Sequence, residues 1–228
     1  MSASLQLARL LQLASPALPV GAYTYSQGLE WAVESGVVGD EASAGRWIGD
    51  LLQHGIGRYE APLVFALMTA WTAGNAAEIA RLNGEFLASR ESAELRAETA
   101  QMGFSLNRLV RDLHDPGLSD VESTLAGLGE IAFPTGWAGL AAYWQIEPEA
   151  AVAAYLWSWA ENQVMAALKA VPLGQASGQR LLAQLGGEIP SAAVDALKLP
   201  ETEWSNFTPA FAIASARHET QYSRLFRS

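Results

Sequence analysis

Residues 148–170 read PEAAVAAYLWSWAENQVMAALKA, and this stretch carries the strongest structural signal in the chain. Proline suits the first turn of a helix, where its missing N–H is not needed, so we predict that a long helix begins at Pro148. Apolar residues lie on nearly every side of this helix, which is typical of a helix surrounded by other helices. We therefore expect it at the centre of the core, ending before Pro172 and Gly174.

The sequence on both sides of this helix is also helical in pattern. No alternating run of Val, Ile and Thr occurs, and no Asn-Gly or Asp-Gly pair indicates a hairpin. Apolar spacing and stop residues predict further helices at 5–13, 24–35, 41–54, 59–72, 76–88, 91–114, 119–131, 135–145, 176–185, 191–198 and 208–221. The predicted fold class is all-α, an irregular single-domain helical bundle of about ten helices.

Side chains that cap helix ends set several of these boundaries. Thr24 with Gln27, and Ser119 with Glu122, have the spacing of a capping box, in which two side chains satisfy free N–H groups at a helix start. Thr208 followed by proline favours the start of a last helix. The polar stretch 200–209 is the best linker, so residues 1–209 are predicted to form the bundle core. Residues 210–228 are predicted to form a C-terminal helix and basic tail that bind a partner.

Composition limits the function classes that fit the chain. It has 228 residues, no cysteine and a net charge of −10. The missing cysteine excludes disulfides, zinc–thiolate sites and thiol nucleophiles, and it fits a reducing compartment. A net negative charge argues against nucleic acid as a partner. No signal peptide and no apolar run of the ~20 residues that span a bilayer is found, so we expect a cytoplasmic protein without a membrane segment.

Motifs for catalysis are absent or incomplete. Neither Lys169 nor Lys198 follows a glycine, so the chain has no phosphate-binding loop of the Gly-x4-Gly-Lys-Ser/Thr type. The stretch from Tyr25 to Gly28 approaches the nucleophile elbow Gly-x-Ser-x-Gly, but Thr24 stands where the first glycine is needed. A helix start is therefore the favoured interpretation of this stretch over a serine hydrolase site.

Metal sites have two weak candidates. Asp112 and Asp115 form one Asp-x-x-Asp pair beside His114, which suits magnesium but is more often a solvated helix end. His218 and Glu219 offer two nickel ligands if an oligomer supplies more, although a capping or partner-binding pair is the commoner arrangement. A helical magnesium-dependent enzyme and a direct nickel carrier therefore stay as alternative functions.

Five stretches together resemble one known family. They are residues 11–30 (LQLASPALPVGAYTYSQGLE), 89–98 with 101–103 (SRESAELRAE and QMG), 133–137 (FPTGW), 159–175 (WAENQVMAALKAVPLGQ) and 212–228 (AIASARHETQYSRLFRS). They run in order from near the start to the last residue, and the first and last are long and specific. By these stretches the chain resembles the UreF family of urease accessory proteins.

The resemblance implies an all-α homodimer that has no catalytic site and no cofactor of its own. It implies binding to a UreD-type (also called UreH-type) scaffold, then to a UreG-type GTPase, and docking on apo-urease. In this arrangement the complex inserts nickel into urease when GTP is hydrolysed, and the chain is an adaptor that regulates the GTPase. The resemblance also implies that the C-terminal segment becomes ordered when the scaffold binds.

Two groups of residues are the candidate partner sites. The tail has the Arg and aromatic composition of interface hot spots, and we expect it to contact the scaffold. Its residues are Arg217, His218, Glu219, Gln221, Tyr222, Arg224, Phe226 and Arg227. The second group, Pro19, Tyr23, Tyr25 and Glu30, is predicted at the dimer or GTPase-facing surface. A rigid loop packed on the core is an equally favoured interpretation of the second group.

Overall fold

α-Helices form the framework of residues 2–228, the part of the chain that this computed structural model describes, and no strand occurs among those residues. The helices are α1 Ala3–Ala14, α2 Leu29–Glu34, α3 Glu41–Leu51, α4 Glu60–Thr72, α5 Ala76–Ala88, α6 Ala93–Asp112, α7 Ser119–Gly127, α8 Phe133–Tyr143, α9 Pro148–Ala170, α10 Gln175–Lys198 and α11 Pro209–His218. No helix between residues 2 and 228 has the length and apolar character needed to cross a bilayer. The predicted all-α bundle is confirmed, with eleven α-helices within residues 2–228.

Helix α9 lies at the centre of the bundle, as its composition predicts. It packs against α1, α2, α3, α4 and α10, and Val152 and Leu156 are completely buried. Trp159 is buried, whereas Trp157 is half-buried and lies against Gly186 of α10, where an added Cβ would meet its ring at 3.2 Å. The two tryptophans therefore join α9 to two different layers of the fold.

Helix α10 runs without a break from Gln175 to Lys198, so the prediction of two helices at 176–185 and 191–198 is wrong. Pro190 lies inside this helix and is exposed. Its ring removes one backbone hydrogen bond, which usually kinks or ends a helix. The buried residues Leu185, Ile189 and Ala193 nevertheless keep helical spacing through the proline. Packing against α9 therefore outweighs the local cost of the proline.

The start of α2 also differs from the prediction. Helix α2 begins at Leu29, and the predicted capping box of Thr24 and Gln27 is wrong. Residues Ala22–Thr24 form a 3₁₀ turn, and Gln27 and Gly28 then take positive φ angles of 53° and 80°. These angles cannot belong to a right-handed helix. The Gln27 side chain instead turns into the protein, where it makes the contacts described below.

The predicted start of α7 and the predicted cap and end of α11 also differ from the structure. The capping box of Ser119 and Glu122 is wrong, because α7 follows a 3₁₀ turn and its N-cap position is Leu118, which has no side-chain acceptor. The last helix begins after Thr208 as predicted, but the Thr208 hydroxyl does not cap it, and the helix ends at His218 before residue 221. Only turn hydrogen bonds follow, from the Thr220 N–H to the Arg217 carbonyl oxygen and from the Gln221 N–H to the His218 carbonyl oxygen, so the chain leaves the α-helical path.

Helix α6 positions the carboxylates of the candidate site. The Ser92 hydroxyl accepts a hydrogen bond from the Leu95 N–H at 3.1 Å and caps its start. An added Cβ on Gly103 would lie 2.0 Å from the carbonyl oxygen of Ile131, so the helix fits closely against the segment before α8. Glu94 and Glu98 are one turn apart near its N-terminal end and point to the same side.

Candidate interaction site

The C-terminal tail, residues 219–228, folds back over α2 and the first turns of α6. The backbone N–H groups of Leu225 and Phe226 donate to the Glu30 carboxylate at 2.6 and 3.0 Å. The carbonyl oxygen of Ser228 accepts from the backbone N–H groups of Ser26 and Gln27 at 2.6 and 3.0 Å. The tail backbone is therefore held by a buried glutamate of α2 and by the turn that precedes this helix.

His218, the last residue of α11, is completely buried beneath the tail. Its Nδ1 lies 2.6 Å from a carboxylate oxygen of Glu94, and its Nε2 lies 3.2 Å from one of Glu30. Each ring nitrogen therefore faces one carboxylate oxygen within hydrogen-bond distance. Arg224 of the tail binds the other oxygen of Glu94 at 2.6 Å. These contacts join α2, α6, α11 and the tail.

Glu98 is buried directly under the end of the tail. Its two oxygens accept hydrogen bonds from the Gln27 side-chain amide and from the Ser228 hydroxyl, both at 2.7 Å. The Gln27 carbonyl oxygen in turn accepts from the Trp159 indole N–H at 2.8 Å. Burial raises the pKa of Glu98 to about 7, against an ordinary value of 4.5. Glu98 therefore carries a proton through much of the range in which exposed glutamates are ionised.

A cavity of about 90 Å³ continues inward from Glu98. It is called the Glu98 cavity here. Most of its lining is apolar, and its polar side chains include Ser15, Tyr23, Gln27, Glu60, Arg90, Glu98, Thr99, Tyr155, Ser158, Glu161 and Asn162. Arg90 and Glu60 form a buried ion pair at 2.7 Å, and the Tyr155 hydroxyl donates to Glu60 at 2.9 Å. Burial, with Glu60 beside it, raises the pKa of Tyr155, which keeps the phenol a hydrogen-bond donor.

The Glu98 cavity is lined by surface residues as well as buried ones. Pro16 and Tyr23 line it at the surface, and burial together with Glu161 raises the pKa of Tyr23 to about 12. Asn162 lines it in the interior. The Asn162 amide N–H donates to the Tyr25 carbonyl oxygen at 3.1 Å, whereas its own carbonyl oxygen has no partner within residues 2–228. A buried acceptor of this kind is usually satisfied by an ordered water molecule.

The candidate partner residues differ in exposure. The buried ones are Tyr25, Glu30, His218 and Phe226, and their contacts are within the chain. Gln221 and Tyr23 are half-buried, and the exposed ones are Pro19, Arg217, Glu219, Tyr222, Arg224 and Arg227. Tyr25 and Glu30 are therefore part of a packed loop and helix beneath the tail, while Pro19 and Tyr23 reach the surface. The role of both groups in binding a partner stays a prediction.

Sequence reasoning missed the residues of the body that receive the tail. They are Gln27, Glu94, Glu98 and Lys169, whose ammonium lies 5.5 Å from the centre of the Phe226 ring. One signal was present in the sequence, because Glu98 falls between Leu95 and Met102 on the apolar face of α6. A lone carboxylate within a buried stripe indicates a polar contact inside the protein.

Residues that a magnesium site or a serine hydrolase site would need form hydrogen bonds within the protein. Asp115 accepts hydrogen bonds from the Gly117 N–H at 3.0 Å and from the Tyr143 hydroxyl at 3.0 Å. Ser26 is buried, and its hydroxyl donates to the Ser228 carbonyl oxygen at 2.6 Å. Within residues 2–228 no three His, Asp or Glu side chains come together in a way that could hold a metal ion.

Comparison with known proteins identifies the family. A sequence profile described as UreF matches residues 38–186. The chain is 76% identical over 228 residues to the urease accessory protein UreF of Dechloromonas aromatica, with 100% of both chains covered. It is 64% identical over 225 residues to the protein of that name from Azoarcus sp., covering 98% of this chain and 96% of the relative.

A third relative shows that the likeness persists at lower identity. The urease accessory protein UreF of Methylobacillus flagellatus is 51% identical over 229 residues, with 100% of both chains covered. In all three relatives the aligned length takes in or nearly takes in the whole chain, so α11, the tail and the residues beneath it are within the region of likeness. This chain belongs to the UreF family.

Proposed function

We propose that this chain is a urease accessory protein that acts in nickel insertion into apo-urease. In this proposal it is a cytoplasmic adaptor without catalytic activity. It links a UreD/UreH-type scaffold to a UreG-type GTPase, regulates GTP hydrolysis by that GTPase, and works as a homodimer in a metallochaperone complex. The observation that carries the proposal is the likeness to proteins named urease accessory protein UreF along the full chain, at identities of 76% and 64%.

The outer face of the tail supports a role in binding a scaffold. Tyr222 is fully exposed and Leu225 is 72% exposed, and the side chains of Arg217 and Arg227 lie at the surface beside them. Arg and aromatic side chains are enriched at interface hot spots. Both side chains are exposed, and neither forms a hydrogen bond or an ion pair within residues 2–228. These two side chains are therefore available to a partner without any rearrangement of the fold.

The distribution of charge supports the binding of different partners by the tail and by the body of the chain. The chain carries a net charge of −10, yet residues 217–228 include three arginines and one glutamate. A basic tail favours an acidic, partly apolar surface on the scaffold, while the acidic body favours basic surfaces on other partners. On this basis the scaffold is assigned to the tail and the GTPase to the body, with exposed Pro19 and half-buried Tyr23 as the candidates on that side.

The test is complex formation with a UreD/UreH-type scaffold co-expressed with the chain. Light scattering on a size-exclusion column gives the mass of the complex and of the free chain. The variants Arg217→Ala and Tyr222→Ala each remove an exposed side chain, and we expect each to weaken binding by about tenfold, the cost of losing a hot-spot contact. The variant Arg111→Ala is the matched control, because Arg111 is exposed on α6, ~20 Å along the helix from the residues under the tail.

Unchanged affinity in both variants would remove the end of α11 and the tail from the scaffold interface. Failure of the unaltered chain to form a complex with the scaffold, and then with the GTPase, would reject the adaptor role as a whole. A free chain that elutes at the mass of a monomer at all concentrations would reject the homodimer.

A further inference from the structure

We infer that the groove between α4 and the end of α10 binds an amphipathic helix of a partner protein, and that this helix carries Lys or Arg beside its apolar face. The groove is named the α4–α10 groove here, and it encloses about 340 Å³. None of the residues that line it belongs to the tail or to the group of Pro19, Tyr23, Tyr25 and Glu30. This surface is therefore separate from the two in the proposed function, and the inference does not depend on that function.

The floor of the groove is one face of α4. Its residues recur at helical spacing over ~16 Å of the helix axis. They are Pro62, Phe65, Ala66, Thr69, Ala70 and Ala73. Leu63 and Leu67 of the same helix do not line the groove and are completely buried in the core. Helix α4 therefore has one side for the bundle and another for the groove.

The opposite wall comes from the end of α10 and the turn after it. Leu197, Leu199 and Trp204 form this wall. The Trp204 indole N–H donates to the Leu199 carbonyl oxygen at 3.2 Å, and its ring lies edge-on to Tyr59 with 6.4 Å between the ring centres. These contacts hold the indole in place within the chain. The wall is therefore formed before a partner binds, which lowers the entropic cost of binding.

The shape of the groove favours a helix as its occupant. Space along one helix and beside the end of a second accepts a third helix, whose apolar side chains insert between the two walls. Phe65 and Trp204 are half-buried and would contact those side chains from either wall. An extended peptide binds by adding to the edge of a sheet, and residues 2–228 contain no strand to receive it.

The charges beside the groove decide the polar side of that helix. Residues 75–85 and 195–204 flank the groove and contain five carboxylates and two cations, so their net charge is −3. One of the cations, Arg81, is already bound by three carboxylates at 2.7 to 2.9 Å. These carboxylates are Glu78, Glu85 and Glu201. A basic helix therefore complements the groove, whereas an acidic helix is repelled.

The probe for the test is a fluorescently labelled amphipathic peptide of about 18 residues, long enough to form a helix, with leucine on one face and lysine on the other. A second peptide has the same pattern with glutamate in place of lysine. Fluorescence anisotropy with the full chain measures the dissociation constant of each peptide. We expect the lysine peptide to bind at least about tenfold more tightly. Equal affinities for the two peptides would overturn the inference.

Thr69→Trp fills the groove from its floor, and Thr72→Trp is the matched control. Both threonines are exposed on α4, and each hydroxyl donates to the carbonyl oxygen four residues before it. Only Thr69 lines the groove. We expect Thr69→Trp to weaken binding of the lysine peptide by about tenfold or more and Thr72→Trp to leave it unchanged. Equal affinities for the two variants would reject the groove as the binding site.

The charge of the groove is tested separately, and this test also decides the question if Thr69→Trp does not fold. Glu203→Lys reverses an exposed charge next to Trp204, and Glu149→Lys makes the same change in net charge at an exposed site on α9. We expect Glu203→Lys to weaken binding of the lysine peptide about fivefold more than Glu149→Lys does. An equal effect would show that the overall charge of the chain attracts the peptide, and it would overturn the inference.

Discussion

The pH dependence of stability gives the sharpest test of the buried Glu98 carboxyl group. Burial raises its pKa to about 7, so the folded chain binds a proton here more tightly than the unfolded chain, whose glutamates have pKa values near 4.5. Stability that depends on this group is therefore fully present at low pH and is lost as pH rises from about 4.5 to about 7. We expect Glu98→Gln, which stays neutral at every pH, to abolish this loss.

The magnitude follows from the size of the shift. A rise of the pKa from 4.5 to about 7 corresponds to ~3 kcal/mol at full ionisation, and most of that develops between pH 5 and pH 8. The glutamine side chain keeps an acceptor for the Gln27 amide and is close in size to glutamate. Glu98→Gln should therefore be near neutral at pH 5 and more stable than the unaltered chain at pH 8, by about 2 to 3 kcal/mol.

The assay is urea unfolding of both proteins at pH 5, 6, 7 and 8, with the difference in unfolding free energy plotted against pH. Other charges change the stability of both proteins alike, so the difference isolates position 98. Glu149→Gln, at an exposed site on α9, is the matched control and should give a smaller pH-dependent difference. A flat difference between pH 5 and pH 8 for Glu98→Gln would refute the assignment of a raised pKa to this group.

Two further predictions concern the core. Arg90→Met leaves Glu60 as an unpaired buried charge and should lower the free energy of unfolding by about 3–5 kcal/mol, with partial recovery when Glu60→Gln is added; thermal unfolding of single and double variants measures both. No recovery in the double variant would contradict an ion-pair origin of the loss. Gly103→Ala places a Cβ 2.0 Å from a carbonyl oxygen and should destabilise the fold by about 1–3 kcal/mol. Gly84→Ala, in a helix with open space around it, should instead stabilise the fold by up to ~1 kcal/mol, and the opposite order for the two glycines would contradict the packing of α6.

The parts of the fold that are determined locally were predictable. Helix α9 is apolar on nearly all sides over 23 residues, and this composition alone placed it at the centre. Helix α10 was not predicted as one helix, because its continuity depends on burial of Leu185 and Ile189 against another helix. Propensity assigns Pro190 a local cost but contains no information about such packing.

The turn before α2 could not be predicted from the local sequence either, because residues far along the chain hold it in place. Gln27 takes its positive φ with its side chain bonded to Glu98 and Trp159, which are 71 and 132 residues further along the chain. The spacing of Thr24 and Gln27 suits a capping box, and nothing nearby in the sequence reveals those distant partners.

The composition of the tail predicted the candidate site, but it did not predict which side chains face inward. The tail was recognised from its arginines and aromatic residues, and five of its eight candidates are exposed. Which side chains face inward depends on Glu30 and Glu94 in distant helices. The sequence pattern could have indicated Glu98, whose carboxylate interrupts an apolar face, but it could not indicate that Ser228 would be its partner.

The alternation of side chains at the end of the tail has a consequence for affinity. From 225 to 228, outward and inward residues alternate, so each residue that a partner can touch is joined to one that the body of the chain holds. Consider a partner that binds the outward face only when the tail is docked. Its apparent dissociation constant is the intrinsic one divided by the docked fraction of the chain. Substitutions at the inward residues lower the docked fraction and so weaken binding to a partner that does not contact those residues. A change that raises the docked fraction strengthens binding by the same factor.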